Sequence, residues 1–381
     1  MDRRTFLQAA APLLALAPLA PSGAFAQSPA PAPPPFPPVD AKSVWLGGDS
    51  APAQLAGVTD RLTVLGKDHQ TARDGYLSGG AVGDLEAAFA RYLGKEDCAF
   101  FPTGSLANTV AVRVLCGDER HALVPYESHL YRDESDATQR LAGINLVPLG
   151  HGRAAPTMDE LKVAFDEAEN GPYPLKVGAL VLESPVRRRY GEVVPVETVA
   201  AVAALARKHG TRLHLDAARL MLAPNLDVKA YVAPFDTVYV SLYKYLGAPF
   251  GAVLAGSKAD IAKARDWRHV YGGTIYQGWA PALLALDGLT TFPANIARAH
   301  ATAAELFATL ERRGVAKLKP FPNASNIRSL EMSETVAKVA FERGRAAGVR
   351  VGRWEAGAIP FYVNETLVRR PVDEYVRLFT G

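Results

Sequence analysis

Short apolar runs recur through the middle of the chain, and segments with helical periodicity lie between several of them. The runs are almost continuously apolar, which is typical of strands that are buried on both faces. The segments at 158–169, after the candidate N-cap Thr157, and at 196–209 show the period of helices that cover a sheet. The pattern predicts an α/β fold with a mostly parallel seven-stranded sheet covered by helices. The predicted strands are residues 98–101, 122–125, 145–149, 177–183, 212–215, 237–242 and 252–255.

The pattern changes after the last of these runs. A long helical pattern at 295–313 leaves the sheet, and two or three short strands and two helices, at 334–347 and 371–378, are expected beyond it. We predict a large domain over residues 41–294. Residues 295–381 are predicted to form a connecting helix and a small C-terminal α/β domain.

The first 26 residues have the composition of an export signal. Two consecutive arginines precede an apolar run at 9–20, and Ala24-Phe-Ala26 resembles a cleavage site. A membrane anchor is the alternative, but the run is too short to span a bilayer and contains two prolines. We therefore predict a twin-arginine (Tat-type) signal peptide at 1–26, a proline-rich linker at 27–40 and a periplasmic location.

Charge and cysteine content exclude several classes of function. The chain has 42 lysines and arginines against 39 aspartates and glutamates, a formal net charge of +3. Neither nucleic acid nor, once the signal is removed, a membrane is therefore expected as a partner. Cys98 and Cys116 form no metal or redox motif, and no pair of histidines has metal-ligand spacing. Export permits a disulfide between the two cysteines, whereas folding before export argues against one.

Candidate chemistry is concentrated where two predicted strands end. Lys244 follows the run at 237–242, and Asp216 follows the run at 212–215. Burial lowers the pKa of a lysine, which can then act as a neutral amine and form a Schiff base with a carbonyl compound. A carboxylate from a neighbouring strand is what the ring nitrogen of pyridoxal phosphate requires. Either residue alone is more often a solvated strand end, but the pair indicates a pyridoxal phosphate site.

A third candidate element lies earlier in the chain. Thr103, Gly104 and Ser105 follow a predicted strand and open a helix that is expected to run to about Leu115. Hydroxyl and backbone N–H groups at a helix N-terminus bind anions, so these three residues are candidates for a phosphate cradle. Ordinary helix capping is the alternative role for the same residues.

These motifs resemble those of the threonine aldolase and β-eliminating lyase family of fold-type I pyridoxal phosphate enzymes. The family's His-Leu-Asp-Gly-Ala-Arg segment is similar to His214-Leu-Asp-Ala-Ala-Arg219, and its Ser-Lys-Gly-Leu-Gly-Ala-Pro segment to Tyr243-Lys-Tyr-Leu-Gly-Ala-Pro249. Its Ser-Gly-Thr-Met-x-Asn loop resembles residues 103–108, and its His-x-x-x-x-Glu spacing is kept by His129 and Glu134. The resemblance implies the family's fold and pyridoxal phosphate as cofactor.

The resemblance also implies a role for the residues in these motifs. Lys244 would hold the cofactor, and Asp216 would keep its pyridine nitrogen protonated. His129 would stack on the cofactor ring and assist proton transfer, with Glu134 supporting the site. The catalytic candidates are therefore Lys244, Asp216 and His129, while His214 and the remaining histidines are interpreted as structural.

Substrate binding is assigned to arginines and depends on two departures from the family pattern. Arg219 is expected to pair with the carboxylate of an amino acid, with a structural salt bridge as the alternative. Residues 182–186 lack the histidine of the family's Leu-Glu-Asn-Thr-His. Tyr276 stands where the family has an arginine that reaches a phosphate across the subunit interface. Arg187 is a candidate to supply the missing positive charge, with a solvated run of three arginines as the alternative. Glu134 completes the candidate substrate residues.

We therefore predict a pyridoxal phosphate-dependent lyase that cleaves a β-hydroxy-α-amino acid to glycine and an aldehyde, as threonine aldolases do. β-Elimination or racemisation of another amino acid is the alternative on the same cofactor, and a non-catalytic pyridoxal phosphate-binding protein is a third possibility. The resemblance further implies a homodimer or homotetramer whose sites are completed by a neighbouring subunit.

Overall fold

A computed structural model describes residues 39–40, 42–68 and 73–380 of the chain. The predicted signal peptide and residues 27–38 of the predicted linker lie outside the described residues. Within the part that the structure describes, no helix combines the length and the apolar character needed to cross a membrane.

Twelve strands lie in the described residues, and seven of them, β2 to β8, form the central sheet in the order β2-β8-β7-β6-β5-β3-β4. In that sheet β8 runs opposite to the other six strands, which all point in the same direction. The predicted mostly parallel seven-stranded sheet is confirmed, and each observed strand agrees with its prediction to within one residue. The strands are β1 Val44–Trp45, β2 Asp97–Phe101, β3 His121–Pro125, β4 Asn145–Leu149, β5 Val177–Glu183, β6 Arg212–Asp216, β7 Thr237–Ser241, β8 Ala252–Gly256, β9 Lys317–Leu318, β10 Ile327–Glu331, β11 Val349–Arg350 and β12 Ala358–Tyr362.

The central strands are buried on both faces because helices cover both sides of the sheet. Every residue of β5, β7 and β8 is buried. The helices are α1 Leu55–Asp68, α2 Gly80–Leu93, α3 Gly104–Cys116, α4 His129–Arg132, α5 Ala137–Ala142, α6 Met158–Glu169, α7 Val196–Lys208, α8 Val228–Val232, α9 Lys258–Val270, α10 Trp279–Arg312, α11 Glu334–Ala346 and α12 Val372–Thr380.

Two helices show where local signals succeed and where they fail. Helix α6 has the predicted bounds, and Thr157 is its N-cap in a capping box with Glu160. The helix predicted at 295–313 is wrong at its start, since α10 begins at Trp279. The predicted helix began just after Pro293, a residue that disfavours a helix interior because a proline lacks the N–H of a helical hydrogen bond. Buried residues on both sides of Pro293 hold the helix together through the proline.

The C-terminal part contains a three-stranded antiparallel sheet, β12-β10-β9, and four strands instead of the two or three predicted. Strand β1, from the predicted large domain, pairs in parallel with β11 of the predicted small domain. The N-terminal segment is thereby attached to the C-terminal part, and the division into two domains stays a prediction. Cys98 and Cys116 are both buried free thiols.

Candidate functional site

A cavity of about 290 Å³ lies where the central strands end. The parallel strands β5 and β6 end at Glu183 and Asp216, and Lys244 follows β7. Because parallel strands deliver their carboxyl ends to the same edge of a sheet, side chains that are far apart in sequence meet here. Seven of the ten predicted site residues line the cavity: Thr103, Gly104, Ser105, His129, Asp216, Arg219 and Lys244.

Lys244 is partly buried at the cavity wall. Burial, together with the positive charge of Arg219, lowers the pKa of Lys244 to about 8. At this pKa the neutral amine, which is the form that acts as a nucleophile, is far more populated near physiological pH than in an ordinary lysine. The environment of Lys244 is therefore the one that the sequence predicts for a reactive lysine.

Asp216 is almost completely buried and is held through both carboxylate oxygens. Its Oδ1 accepts a hydrogen bond from the backbone N–H of Ala218 at 3.0 Å, and its Oδ2 accepts one from Asn108 Nδ2 at 3.0 Å. A carboxylate fixed in this way presents its negative charge to the cavity with little freedom to rotate. Asn108 was not among the predicted site residues.

Half-buried His129 and buried Glu134 form a pair beside Asp216. The Nδ1 atom of His129 lies 3.0 Å from Glu134 Oε1, which also accepts a hydrogen bond from Asn108 Nδ2 at 3.1 Å. The bond to Glu134 raises the pKa of His129, and burial raises the pKa of Glu134. Glu134 therefore supports His129 from behind and does not itself line the cavity.

The start of helix α3 forms the wall of the cavity that was predicted as a phosphate cradle. Thr103 caps the helix, since its Oγ1 accepts a hydrogen bond from the Leu106 N–H at 3.2 Å. A Cβ atom at Gly104 would lie 2.1 Å from the hydroxyl of Tyr239, so this position excludes any larger residue. Thr103 therefore has the helix-capping role that was the alternative to phosphate binding. The same helix N-terminus also faces the cavity, which Tyr239 lines as well.

Arg219 lines the cavity, but its guanidinium is already engaged by a carboxylate of this chain. Its Nε and Nη2 atoms lie 2.9 Å and 2.8 Å from Asp49 Oδ2, and both side chains are largely buried. The structural salt bridge that the sequence left open for Arg219 is therefore present. The predicted role of Arg219 towards a substrate carboxylate stays a prediction.

Arg187 and Tyr276 do not line the cavity. Arg187 Nη2 lies 2.8 Å from Asp133 Oδ2, and the neighbouring Arg188 binds the same carboxylate. Tyr276 is 64% exposed and packs edge to face against Tyr76, with ring centroids 5.4 Å apart. Within this chain, neither residue is brought to the other predicted site residues.

Glu183 is a cavity residue that the sequence analysis missed. Its Oε2 accepts the backbone N–H of His129 at 2.5 Å, and its Oε1 accepts that of Arg187 at 2.9 Å. Burial, together with the charge of Asp216, raises the pKa of Glu183 to about 7. An apolar strand that ends in a glutamate, next to a strand that ends in an aspartate, is the signal that could have identified it.

The residues around the cavity fit pyridoxal phosphate, the cofactor that the sequence predicts. Lys244 supplies a reactive amine, and Asp216 supplies a fixed carboxylate for a protonated ring nitrogen. The glycine at 104 leaves the start of helix α3 open, where Thr103 and Ser105 can bind a phosphate.

The chain is similar to known proteins over most of this region. The family model of the beta-eliminating lyases matches residues 63–333. An Arabidopsis thaliana protein named a probable low-specificity L-threonine aldolase is 32% identical over 241 residues, 60% of this chain and 66% of that protein. The low specificity L-threonine aldolase of Saccharomyces cerevisiae is 28% identical over 258 residues, 66% of this chain and 63% of that protein. The chain thus spans slightly less than two thirds of the length of either relative.

A solved structure extends the similarity to the whole fold. A Listeria monocytogenes protein, provisionally described as an L-allo-threonine aldolase, is 25% identical with a TM-score of 0.74. The match covers 89% of this chain and 96% of that chain. This likeness confirms the predicted fold class, fold-type I.

Proposed function

The chain belongs to the beta-eliminating lyase family, and from this premise we propose that it is a pyridoxal phosphate-dependent lyase. The proposed reaction is the cleavage of a β-hydroxy-α-amino acid to glycine and an aldehyde. The observation that carries this proposal is the meeting of Lys244, Asp216 and His129 in one cavity beside the N-terminus of helix α3. The threonine aldolases among the relatives favour this reaction over others of the same cofactor.

Different residues of the cavity would bind different groups of the cofactor. Lys244 would hold the aldehyde carbon, Asp216 the ring nitrogen, and Thr103, Gly104 and Ser105 the phosphate. When bound, pyridoxal phosphate supplies an electron sink that stabilises negative charge at the α-carbon of an amino acid.

The residues of the chain supply the proton transfers. Cleavage of the Cα–Cβ bond requires a base that takes the proton of the β-hydroxyl group. His129 lines the cavity, and because its Nδ1 is bound to Glu134, its Nε2 is the nitrogen that can accept this proton. The Glu134 carboxylate then stabilises the positive charge that forms on the imidazole. Arg219, held by Asp49, is the cation that would orient the carboxylate of the substrate.

One set of incubations tests this proposal against its alternatives. The purified protein, supplied with pyridoxal phosphate, is incubated separately with threonine, phenylserine, serine and alanine, and the products are identified. Glycine and an aldehyde from threonine or phenylserine would support the proposal. Pyruvate from serine would indicate β-elimination, inversion of alanine would indicate racemisation, and no product from any of the four would indicate a non-catalytic binding protein.

We also propose that the functional unit is a homodimer or homotetramer with sites shared between subunits. The support is the position of Tyr76 and Tyr276, which pack against each other with both rings more than 60% exposed. Large exposed aromatic groups of this kind are typical of contacts with another chain.

For the location of the protein, we propose the periplasm. The support is the twin-arginine motif and the apolar run of residues 1–26, which lie outside the described residues. Cell fractionation with and without the two consecutive arginines tests this proposal, and retention of the unaltered protein in the cytoplasm would contradict it.

A further inference from the structure

A continuous chain of buried hydrogen bonds runs behind the cavity, through three residues that the proposed reaction does not use. Thr237 Oγ1 lies 2.9 Å from His214 Nδ1, and His214 Nε2 lies 3.0 Å from Asn108 Oδ1. The amide nitrogen of Asn108 then donates to Asp216 Oδ2 at 3.0 Å and to Glu134 Oε1 at 3.1 Å. All five side chains are buried. One asparagine thus joins the carboxylate assigned to the cofactor with the carboxylate that holds His129.

The chemistry of these groups fixes the direction of every bond in the chain. Ionised carboxylates only accept hydrogen bonds, so the amide nitrogen of Asn108 must face Asp216 and Glu134. The amide oxygen of Asn108 then faces His214, and this oxygen needs a donor. His214 must therefore carry its proton on Nε2, which leaves Nδ1 to accept the hydroxyl proton of Thr237.

The burial of His214 supports this arrangement. Burial lowers the pKa of His214 to about 4, so the ring is neutral at physiological pH and has a single N–H group. A backbone hydrogen bond to Thr237 acts in the opposite direction and raises this pKa, without outweighing burial. The Asn108 amide oxygen requires the Nε2–H form, and the Thr237 hydroxyl completes it by donating to Nδ1.

We propose that Asn108 and His214 are positioning residues that orient Asp216 and the His129–Glu134 pair as one unit. His214 orients the amide of Asn108, and Asn108 holds the two carboxylates in the places where they face the cofactor site and His129. The expected effect on turnover rests on the proposed function. The expected effects on the proton of His214 and on the titration of His129 do not depend on it.

Glu134 shows why this network does more than satisfy buried polar groups. Among the described residues its Oε2 has no hydrogen-bond partner, so Glu134 is held through Oε1 alone. Asn108 and His129 share that oxygen. If Asn108 ceased to donate, the charge of Glu134 would be stabilised by His129 only, and the pair would bind its proton more tightly. The other charged groups that act on His129 are Asp216 and Glu183, and neither is altered by the test below.

The substitution Thr237→Val tests the proposal at the far end of the network. Valine has nearly the shape of threonine and suits a buried strand. The side chain at position 237 does not line the cavity, so the substitution leaves the cavity wall unchanged. The matched control is Thr211→Val, which removes a buried hydroxyl that donates to the Val177 carbonyl outside the network. Both variants are prepared without cofactor and labelled with ¹⁵N-histidine, and ring nitrogen shifts are followed by NMR as a function of pH.

In the unaltered protein and in Thr211→Val, we expect His214 to be neutral with its proton on Nε2. In Thr237→Val, we expect a shift towards the Nδ1–H form and a rise of about half a unit to one unit in the pKa of the His129–Glu134 pair, the worth of one weakened hydrogen bond to a charged group. An Nδ1–H form of His214 in the unaltered protein would overturn the proposal. So would identical titration of His129 in the two valine variants.

A second pair of variants keeps the proposal testable if Thr237→Val does not fold. His214→Gln retains a side-chain nitrogen that can donate to Asn108, whereas His214→Leu does not. We expect the His129–Glu134 pair to keep the pKa of the unaltered protein in the glutamine variant and to have a raised pKa in the leucine variant. The same pKa in both variants would refute the proposal. In the enzyme with bound cofactor, kcat should fall about tenfold in His214→Leu with KM nearly unchanged. Absence of lyase activity would contradict the proposed function but would leave the NMR test of Asn108 and His214 intact. Failure of the proposed function and failure of the positioning proposal are therefore distinguishable.

Discussion

Glu183 and Asp216 lie directly opposite each other at the ends of the adjacent parallel strands β5 and β6. Two buried carboxylates in this register repel each other, which contributes to the raised pKa of Glu183. Asp216 receives a side-chain donor from Asn108, whereas Glu183 receives only backbone N–H groups. The sheet thus places a fixed carboxylate and a carboxyl group that titrates near neutrality side by side in the cavity.

The first prediction concerns the attachment of the cofactor. Purified protein should be yellow, and borohydride reduction should fix the cofactor to Lys244, because burial and Arg219 favour the neutral amine there. Lys244→Ala should lose the covalent attachment, and Lys258→Ala, at the start of helix α9, is the control. Peptide mapping by mass spectrometry identifies the labelled lysine, and labelling of Lys258 would show that the site is assigned wrongly.

The second prediction concerns the ring nitrogen. Asp216→Asn should fold normally but lose at least about a hundredfold in turnover, because a neutral side chain cannot hold a protonated pyridine. Asp236→Asn, which alters an acidic residue outside the cavity, serves as the control. Circular dichroism verifies folding and steady-state kinetics measure turnover. Near-normal turnover in Asp216→Asn would make Asp216 a structural residue only.

The third prediction concerns Arg219. Arg219→Lys keeps the positive charge beside Asp49 but loses the planar fork that binds a carboxylate through two hydrogen bonds. We expect KM for the amino acid to rise about tenfold, the worth of one hydrogen bond to a charged group, with a smaller change in kcat. Arg212→Lys, which alters an ion-paired arginine outside the cavity, is the control. Unchanged saturation behaviour in Arg219→Lys would place the substrate carboxylate elsewhere.

The fourth prediction follows from the lowered pKa of Lys244. Its pKa is about 8 in the folded protein against an ordinary value of 10.5, so the unfolded chain binds more protons between these two values. The charged amine therefore destabilises the cofactor-free fold below about pH 8, and this effect disappears as the pH rises towards 10.5. Lys244→Met should raise the melting temperature of the cofactor-free protein at pH 7 and have little effect near pH 10.

Thermal unfolding at the two pH values measures this difference, with Lys258→Met as the control on a helix that does not line the cavity. A stabilisation that grows with pH would contradict the assigned pKa of Lys244.

The fifth prediction concerns the subunit interface. Light scattering should find at least a dimer, with and without cofactor. Tyr276→Arg should retain pyridoxal phosphate severalfold more tightly, because an arginine adds a charge to the single hydrogen bond that a tyrosine hydroxyl can donate. Tyr190→Arg, at another exposed tyrosine, controls for the added charge. A monomeric and fully active enzyme would exclude shared sites.

Much of the fold could be predicted from the sequence because the central strands are buried on both faces. An apolar run such as 177–183 has no polar face to obscure its limits, and β5 has the predicted bounds. Helix α10 could not be predicted in the same way, because Pro293 is a local signal to stop. Packing along the whole helix outweighs that signal, and packing is not a local property.

The sequence by itself determined the candidate site residues: Lys244, Asp216, His129 and the start of helix α3 were all predicted from strand ends or motifs. Only the tertiary structure decided which groups surround them. Asp49 meets Arg219 across 170 residues of chain, and Asn108 meets Asp216 across 108. A motif records the spacing of neighbours along the chain, whereas hydrogen bonds of about 3 Å depend on how strands and helices from distant segments are packed. Asp49 and Asn108, which hold Arg219 and Asp216, were therefore visible as partners only in the folded protein.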